Sequence, residues 1–131
     1  KLNHFQQLFD SALSQENSLI NLTELQIGQY FSRERTVFDL PIYYEGTDFQ
    51  INAWNSLSQI PYGTTISYSE QAHNIGNIKS VRAIGHANSL NPISIIIPCH
   101  RVIGKSGKLV GYGGGIHSKE YLISLENRDI L

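Results

Sequence analysis

A chain of 131 residues with 40% hydrophobic side chains can bury one modest core, as a single small domain or a small domain with a short lead-in. Its single cysteine excludes an internal disulfide and a multi-thiolate metal site, points to a reducing, cytoplasmic setting, and no apolar run is long enough to cross a membrane. The net charge of −1 hides an asymmetry: Gln71 to Lys119 contains no Asp or Glu, yet holds Lys79, Arg82, Arg101, Lys105, Lys108 and Lys119 together with His73, His86, His100 and His117.

Residues 1–31 read as helical, with Phe5, Leu8, Phe9, Ala12 and Leu13 on one face and a second apolar set from Leu22 to Phe31. "FDLPIYYEG" reads as an extended linker. "TDFQ" then opens a helix, because Thr47 and Gln50 fit a capping box. Phe49, Ala53 and Leu57 share its inner face with Trp54 beside them, and "PYG" at Pro61 to Gly63 ends it in a turn. "SYSE" offers a second capping box, Ser67 with Glu70, which puts Tyr68 in the first turn of a short helix. Gly76 and Asn77 interrupt the pattern, and helical spacing resumes from Ile78 to Ser89. Two short helices about a glycine-containing turn, the second carrying Lys79 and Arg82, suggest a helix-turn-helix.

Asn91-Pro92 stops that helix, and "ISIII" reads as a short buried strand or extended run closed by Pro98. "GKSGKLVGYGGG" is a flexible stretch whose glycines do not match a phosphate loop, since no lysine-hydroxyl pair follows them. Ser118 to Glu126 closes the chain as a helix with Leu122 and Leu125 inward. The fold class is mixed α/β, mostly helical. A cationic half suits a polyanion such as nucleic acid. Taken alone, however, a run of charge is more often a solvated face.

The lone thiol, Cys99, stands between Pro98 and His100 at the exit of an apolar run. A free thiol titrates near ~8.5, so thiolate becomes the majority form at neutral pH only if the pKa falls by roughly 1.5, worth about 2 kcal/mol. His100, the arginines or a helix terminus are the candidates to supply that, with Glu126 or Glu120 as the acid behind the histidine. The bland alternative is a small hydrophobic cysteine in a core beside an ordinary histidine. An adjacent Cys-His pair also departs from papain-like proteases, where the histidine comes far later.

"GTDFQINAWNSLSQIPYGTTISY", "VRAIG.AN..NP", "PCHRVIG", "GYGGG" and a "K..L...E" tail occur in an order and spacing that resembles the O6-alkylguanine-DNA alkyltransferase family (methylated-DNA–protein-cysteine methyltransferases). The likeness runs from about Tyr30 to Glu126. It implies an α+β, mostly helical alkyltransferase domain over residues 46–131. Residues 1–45 would be a helical lead-in and linker, with the family's usual N-terminal β-sheet domain absent or truncated. The sequence opens on Lys1, has no methionine and shows no signal-peptide pattern, so the gene product's own start need not be included.

By that resemblance Cys99 accepts the alkyl group, His100 is a base acting through a water, and Glu126 orients it. Asn91 ties the helix-turn-helix to the active-site loop. Tyr68 hydrogen-bonds N3 of the leaving guanine. Arg82 fills the space left by the flipped nucleotide, and Lys79, Ala83, Gly85 and Arg101 join it at the DNA. Tyr112, Gly113 and Gly114 wall the base pocket, with the main-chain carbonyls of Cys99 and Val102 meeting the guanine amino group. The implied partner is double-stranded DNA bearing O6-alkylguanine, bound in the minor groove. O4-alkylthymine stays open as a second lesion. No cofactor, metal or membrane is expected, and the protein is expected to be a monomer. The rival readings are a lesion sensor without an acceptor cysteine, a plain helix-turn-helix regulator and a Cys-His hydrolase.

Overall fold

The computed structural model describes residues 2–109 and 111–127, which fall into two compact units, residues 1–42 and 43–131. In the first, a single 30-residue helix, α1 (Leu2–Phe31), runs through both apolar sets that the sequence reads as helical. Leu8 and Leu13 on it are exposed, and the side chains of Phe5 and Phe9 lie outside those described. Two residues past the end of the helix, Arg33 takes a left-handed φ of 67°. The chain then folds back, and Gln26 exchanges two hydrogen bonds with the backbone of Asp39 at 3.0 and 2.8 Å. Tyr30 is buried with its ring 5.5 Å from that of Phe38.

The second unit begins its first helix, α2 (Asp48–Leu57), at the expected cap. The Thr47 hydroxyl accepts from the Gln50 amide, and the Gln50 side chain accepts from the Thr47 amide. Ala53, Trp54 and Leu57 form its buried face. A two-residue strand, β1 (Ile66–Ser67), leads directly into α3 (Tyr68–Asn74), where Ser67 and Glu70 make the second capping box.

Helix α3 stops in a Schellman motif. Asn77 N–H donates to Ala72 C=O and Gly76 N–H to His73 C=O, with Gly76 at φ 80°. That turn is longer than the spacing predicts. Helix α4 spans Val81–Ser89, so Lys79 lies in the turn and not on the second helix. The side chains of Gln71 and Asn88 pair reciprocally at 3.1 and 2.8 Å inside the corner, and Trp54 Nε1 donates to Ala87 C=O at 2.9 Å. These bonds join α2, α3 and α4.

The "ISIII" run is not a strand. Asn91 Oδ1 accepts from Ile93 N–H and Asn91 Nδ2 donates to Ile97 C=O at 2.7 Å, which bends residues 91–97 into a turn. Ile95 takes φ 76° there, a conformation that disfavours a β-branched residue. The chain then makes a 3₁₀ turn over Cys99–Arg101 and a second two-residue strand, β2 (Val102–Ile103). Strands β1 and β2 pair in parallel, Ile66 with Val102 and Ser67 with Ile103. A short 3₁₀ turn covers Lys105–Gly107. Helix α5 (Ile116–Glu126) starts two residues before the sequence reading and buries Lys119, Leu122, Leu125 and Glu126. The core around Cys99 comprises Trp54, Leu57, Ile60, Ile97 and Val102. Among the described residues no helix is long and apolar enough to cross a membrane.

Candidate active site

Three elements meet around the thiol. The 3₁₀ turn carries Cys99, His100 and Arg101 in succession, and all three are buried. The parallel pairing of β1 with β2 sets the start of α3, and hence Tyr68, beside the core that holds Cys99. Helix α5 places Lys119 and Glu126 seven residues apart, on one face after two turns.

Glu126, 4% exposed, is the hub. His100 Nε2 lies 2.6 Å from its Oε2. Arg101 donates from Nε to Oε1 at 2.8 Å and from Nη2 to Oε2 at 3.1 Å, and Gly63 N–H reaches Oε1 at 3.2 Å. A histidine nitrogen facing an ionised carboxylate carries the proton, so Nε2–H donates and Nδ1 holds the lone pair. Nδ1 is buried and has no partner among the described residues. The site therefore presents one unsatisfied basic atom on the far side of the ring from Glu126.

Burial pushes the Cys99 thiol up from its ordinary pKa. A hydrogen bond with Asn91 and the charge of Lys119 pull it partly back. The sequence expectation that His100, the arginines or a helix terminus lowers this thiol enough to make thiolate the majority form is thus corrected: Asn91, Lys119 and a backbone hydrogen bond at Cys99 lower it, and desolvation outweighs them. Burial likewise raises the Tyr68 and Tyr112 phenols, with a further push from the Cys99 charge, while a hydrogen bond with Ser94 partly lowers Tyr112. Burial lowers Lys119, against the pull of Cys99. Its Nζ stands over the Tyr68 ring, 5.8 Å from the centroid.

Tyr112 packs half-buried against the core, and Gly113 and Gly114 beside it are exposed. A Cβ on Gly114 would lie 2.9 Å from the Tyr112 ring, so only glycine allows that approach. Val102 is fully buried, with its backbone in β2. Arg82 and Ala83 are exposed on α4, Gly85 is half-buried one turn on, and Lys79 is exposed in the preceding turn.

Arg101 does not join them. It is 7% exposed, and its third nitrogen, Nη1, donates to Ile60 C=O at 2.7 Å. It faces the interior, not a phosphate, because its guanidinium is spent on Glu126 and a carbonyl. Lys119, also counted in the cationic half, is fully buried as well. Sequence reasoning gave no role to Lys119 or Gly63. The signals were the lysine of the "K..L...E" tail, seven residues from Glu126, and the glycine of "PYG". Gly63 takes φ 79°, and a Cβ there would meet Glu126 C=O at 3.3 Å.

Fold and site together define a helix-turn-helix domain with a buried cysteine beside a His-Glu-Arg cluster. The family model described as "6-O-methylguanine DNA methyltransferase, DNA binding domain" matches residues 48–128, and the chain belongs to that family. It is 54% identical over 101 residues to a methylated-DNA–protein-cysteine methyltransferase of Methanosarcina acetivorans, covering 77% of this chain and 65% of that protein. It is 45% identical over 118 residues to the inducible enzyme of that name from Bacillus subtilis, covering 90% and 66%. The chain thus spans a little under two thirds of the length of these curated relatives. Among solved structures, Mycobacterium tuberculosis OGT in complex with DNA superposes with a TM-score of 0.81 at 52% identity, over 82% of this chain and 67% of that one. S. pombe Atl1, in complex with damaged DNA containing O6-carboxymethylguanine, superposes with a TM-score of 0.54 at 25% identity, over 63% of this chain and 79% of that one.

Proposed function

We propose that this protein repairs DNA by direct reversal, flipping O6-alkylguanine out of the duplex and moving the alkyl group irreversibly to its own Cys99. The observation that carries this reading is the buried Cys99 beside His100, whose ring is tied to Glu126 and whose Nδ1 has no partner, in a chain of this family. The thiol proton passes to His100 through a water that would satisfy Nδ1. The sulfur then attacks the alkyl carbon, an S–C bond forms and the C–O6 bond breaks, and its electron pair leaves with guanine. Tyr68 gives a proton to N3 of the departing base. The raised proton affinity of the buried phenol keeps it protonated until charge develops on the base.

Asn91 links the end of the helix-turn-helix to the Ile97 carbonyl two residues before the thiol, so it couples DNA binding to the site. Arg82 fills the vacated stack, and Lys79, Ala83 and Gly85 lie with it on the DNA face. Tyr112, Gly113, Gly114 and the carbonyls of Cys99 and Val102 hold the flipped base. Residues 46–131 do this work, with 1–45 as a lead-in. The product is a thioether, and the chain has no second thiol to remove the alkyl group. The protein acts once, as a monomer in the cytoplasm.

Incubation with a duplex containing one O6-methylguanine, followed by intact-mass and peptide analysis, tests the assignment. One added methyl on the Cys99 peptide is expected, and none in Cys99→Ala, which still binds the duplex. Loss of binding in step with loss of transfer would make the cysteine structural. Rapid conversion by many equivalents would instead restore the hydrolase reading.

A further inference from the structure

We infer that Arg101 is a positioning residue for the transfer, acting through Glu126 on His100 and not through DNA. The inference rests on the alkyl-transfer reading above. A buried carboxylate is free to rotate about its last bond unless its oxygens are held, and its orientation decides where a histidine can meet it. Here the planar guanidinium grips both oxygens of Glu126, Nε on Oε1 at 2.8 Å and Nη2 on Oε2 at 3.1 Å. A fork on a planar carboxylate fixes its plane as well as its charge.

The guanidinium is itself anchored. Nη1 donates to Ile60 C=O at 2.7 Å, and Cζ lies 5.7 Å from the Tyr62 ring centroid. Gly63 N–H then meets Oε1 at 3.2 Å, so the "PYG" turn supports both partners. With the carboxylate fixed, Oε2 takes the His100 Nε2–H at 2.6 Å, and the ring can aim Nδ1 in only one direction. The aim of that lone pair is what a base acting on Cys99 requires. Lysine at position 101 would keep the charge but lose the fork, since an ammonium is a point donor.

The test compares Arg101→Lys, Glu126→Gln and the double variant, each first checked for a cooperative thermal melt. Arg101→Lys should slow single-turnover transfer roughly 10–100-fold, the cost of a small misplacement of a reacting group. The slowing should be the same for an O6-methylguanine duplex and for free O6-benzylguanine, with affinity for undamaged duplex unchanged. The double variant should be no slower than the slower single variant, because both lesions break one chain of contacts. Affinity falling with the rate would return Arg101 to the DNA. Losses that multiply would show that it acts independently of Glu126.

Ring ¹⁵N spectra of His100 in the unmodified protein supply a readout that needs neither a variant nor activity. They should show Nε2 protonated and Nδ1 bare, and the opposite tautomer would overturn the arrangement. If the unmodified protein transfers no alkyl group, the functional reading fails. Transfer with multiplying losses would sink only the role of Arg101.

Discussion

At Cys99 a hydrogen bond with Asn91, the charge of Lys119 and a backbone hydrogen bond oppose the cost of burial without overcoming it. The thiol is 8% exposed, and desolvation raises its pKa more than Asn91 and Lys119 lower it. It should therefore resist iodoacetamide at neutral pH, with alkylation still rising beyond the ordinary thiol range near ~8.5. Lys119→Met keeps the buried stem and removes the charge, so the midpoint of that profile should move to still higher pH. A thiol already fully reactive at neutral pH, or a midpoint that falls in the variant, would contradict this electrostatic picture. The sign for stability follows. A thiol whose folded pKa is raised contributes stability below its unfolded pKa, and that contribution is lost as pH rises through the folded value. Much of this site was legible in the chain because "PCHR" is contiguous and Glu126 ends a recognisable helix. Arg101 was misplaced for a physical reason. A cation in an acid-free segment reads as solvated, and its carboxylate stands 25 residues away, where local patterning does not reach.

The helices that flank the site are set by bonds of very different range. Both capping boxes, Thr47 with Gln50 and Ser67 with Glu70, span three residues and could be read directly. The bend at 91–97 could not be. Its apolar run has the composition of a buried strand, and the Asn91 side chain overrides that preference through two backbone bonds. The corner of the helix-turn-helix depends on a still longer bond. Gln71 and Asn88 satisfy each other inside it, and Gln71 Nε2 also approaches Ala53 C=O and Ser56 Oγ at 3.3 and 3.1 Å. Asn88→Ala removes the donor to Gln71 Oε1 in the core and should cost about 1–3 kcal/mol, the penalty for a buried unsatisfied group. Urea unfolding at constant m-value is the measurement. Duplex affinity should fall as well, because the same pair fixes α3 against α4. A variant as stable as the parent would mean that the pair is not what holds the corner.

Across the whole molecule, the acid-free half puts fewer charges in water than its composition suggests. Six lysines and arginines lie between Gln71 and Lys119, but Arg101 and Lys119 are buried, leaving Lys79, Arg82, Lys105 and Lys108 exposed. Four phosphate contacts give a slope of log affinity against log salt of roughly −3.6, at about −0.9 per contact. Anisotropy titrations on undamaged duplexes should stay within that bound and show little sequence preference. A markedly steeper slope would require cations beyond the four that this segment exposes. The reaction itself should then change the stability of the molecule. Alkylation replaces a small thiol by a bulkier thioether in a core shared with Trp54, Ile97 and Val102, all nearly or fully buried. Added volume in a packed interior typically costs ~1–3 kcal/mol. For a domain of this size each kcal/mol shifts Tm by roughly 4–8 °C. Repair plotted against protein should rise linearly and stop at one lesion per chain, with or without added thiol, since a thioether offers no good leaving group. The spent protein should melt below the fresh one, and the benzylated form below the methylated, in order of the volume added. Equal melting temperatures for fresh, methylated and benzylated chains would show that the pocket keeps room for the alkyl group after transfer.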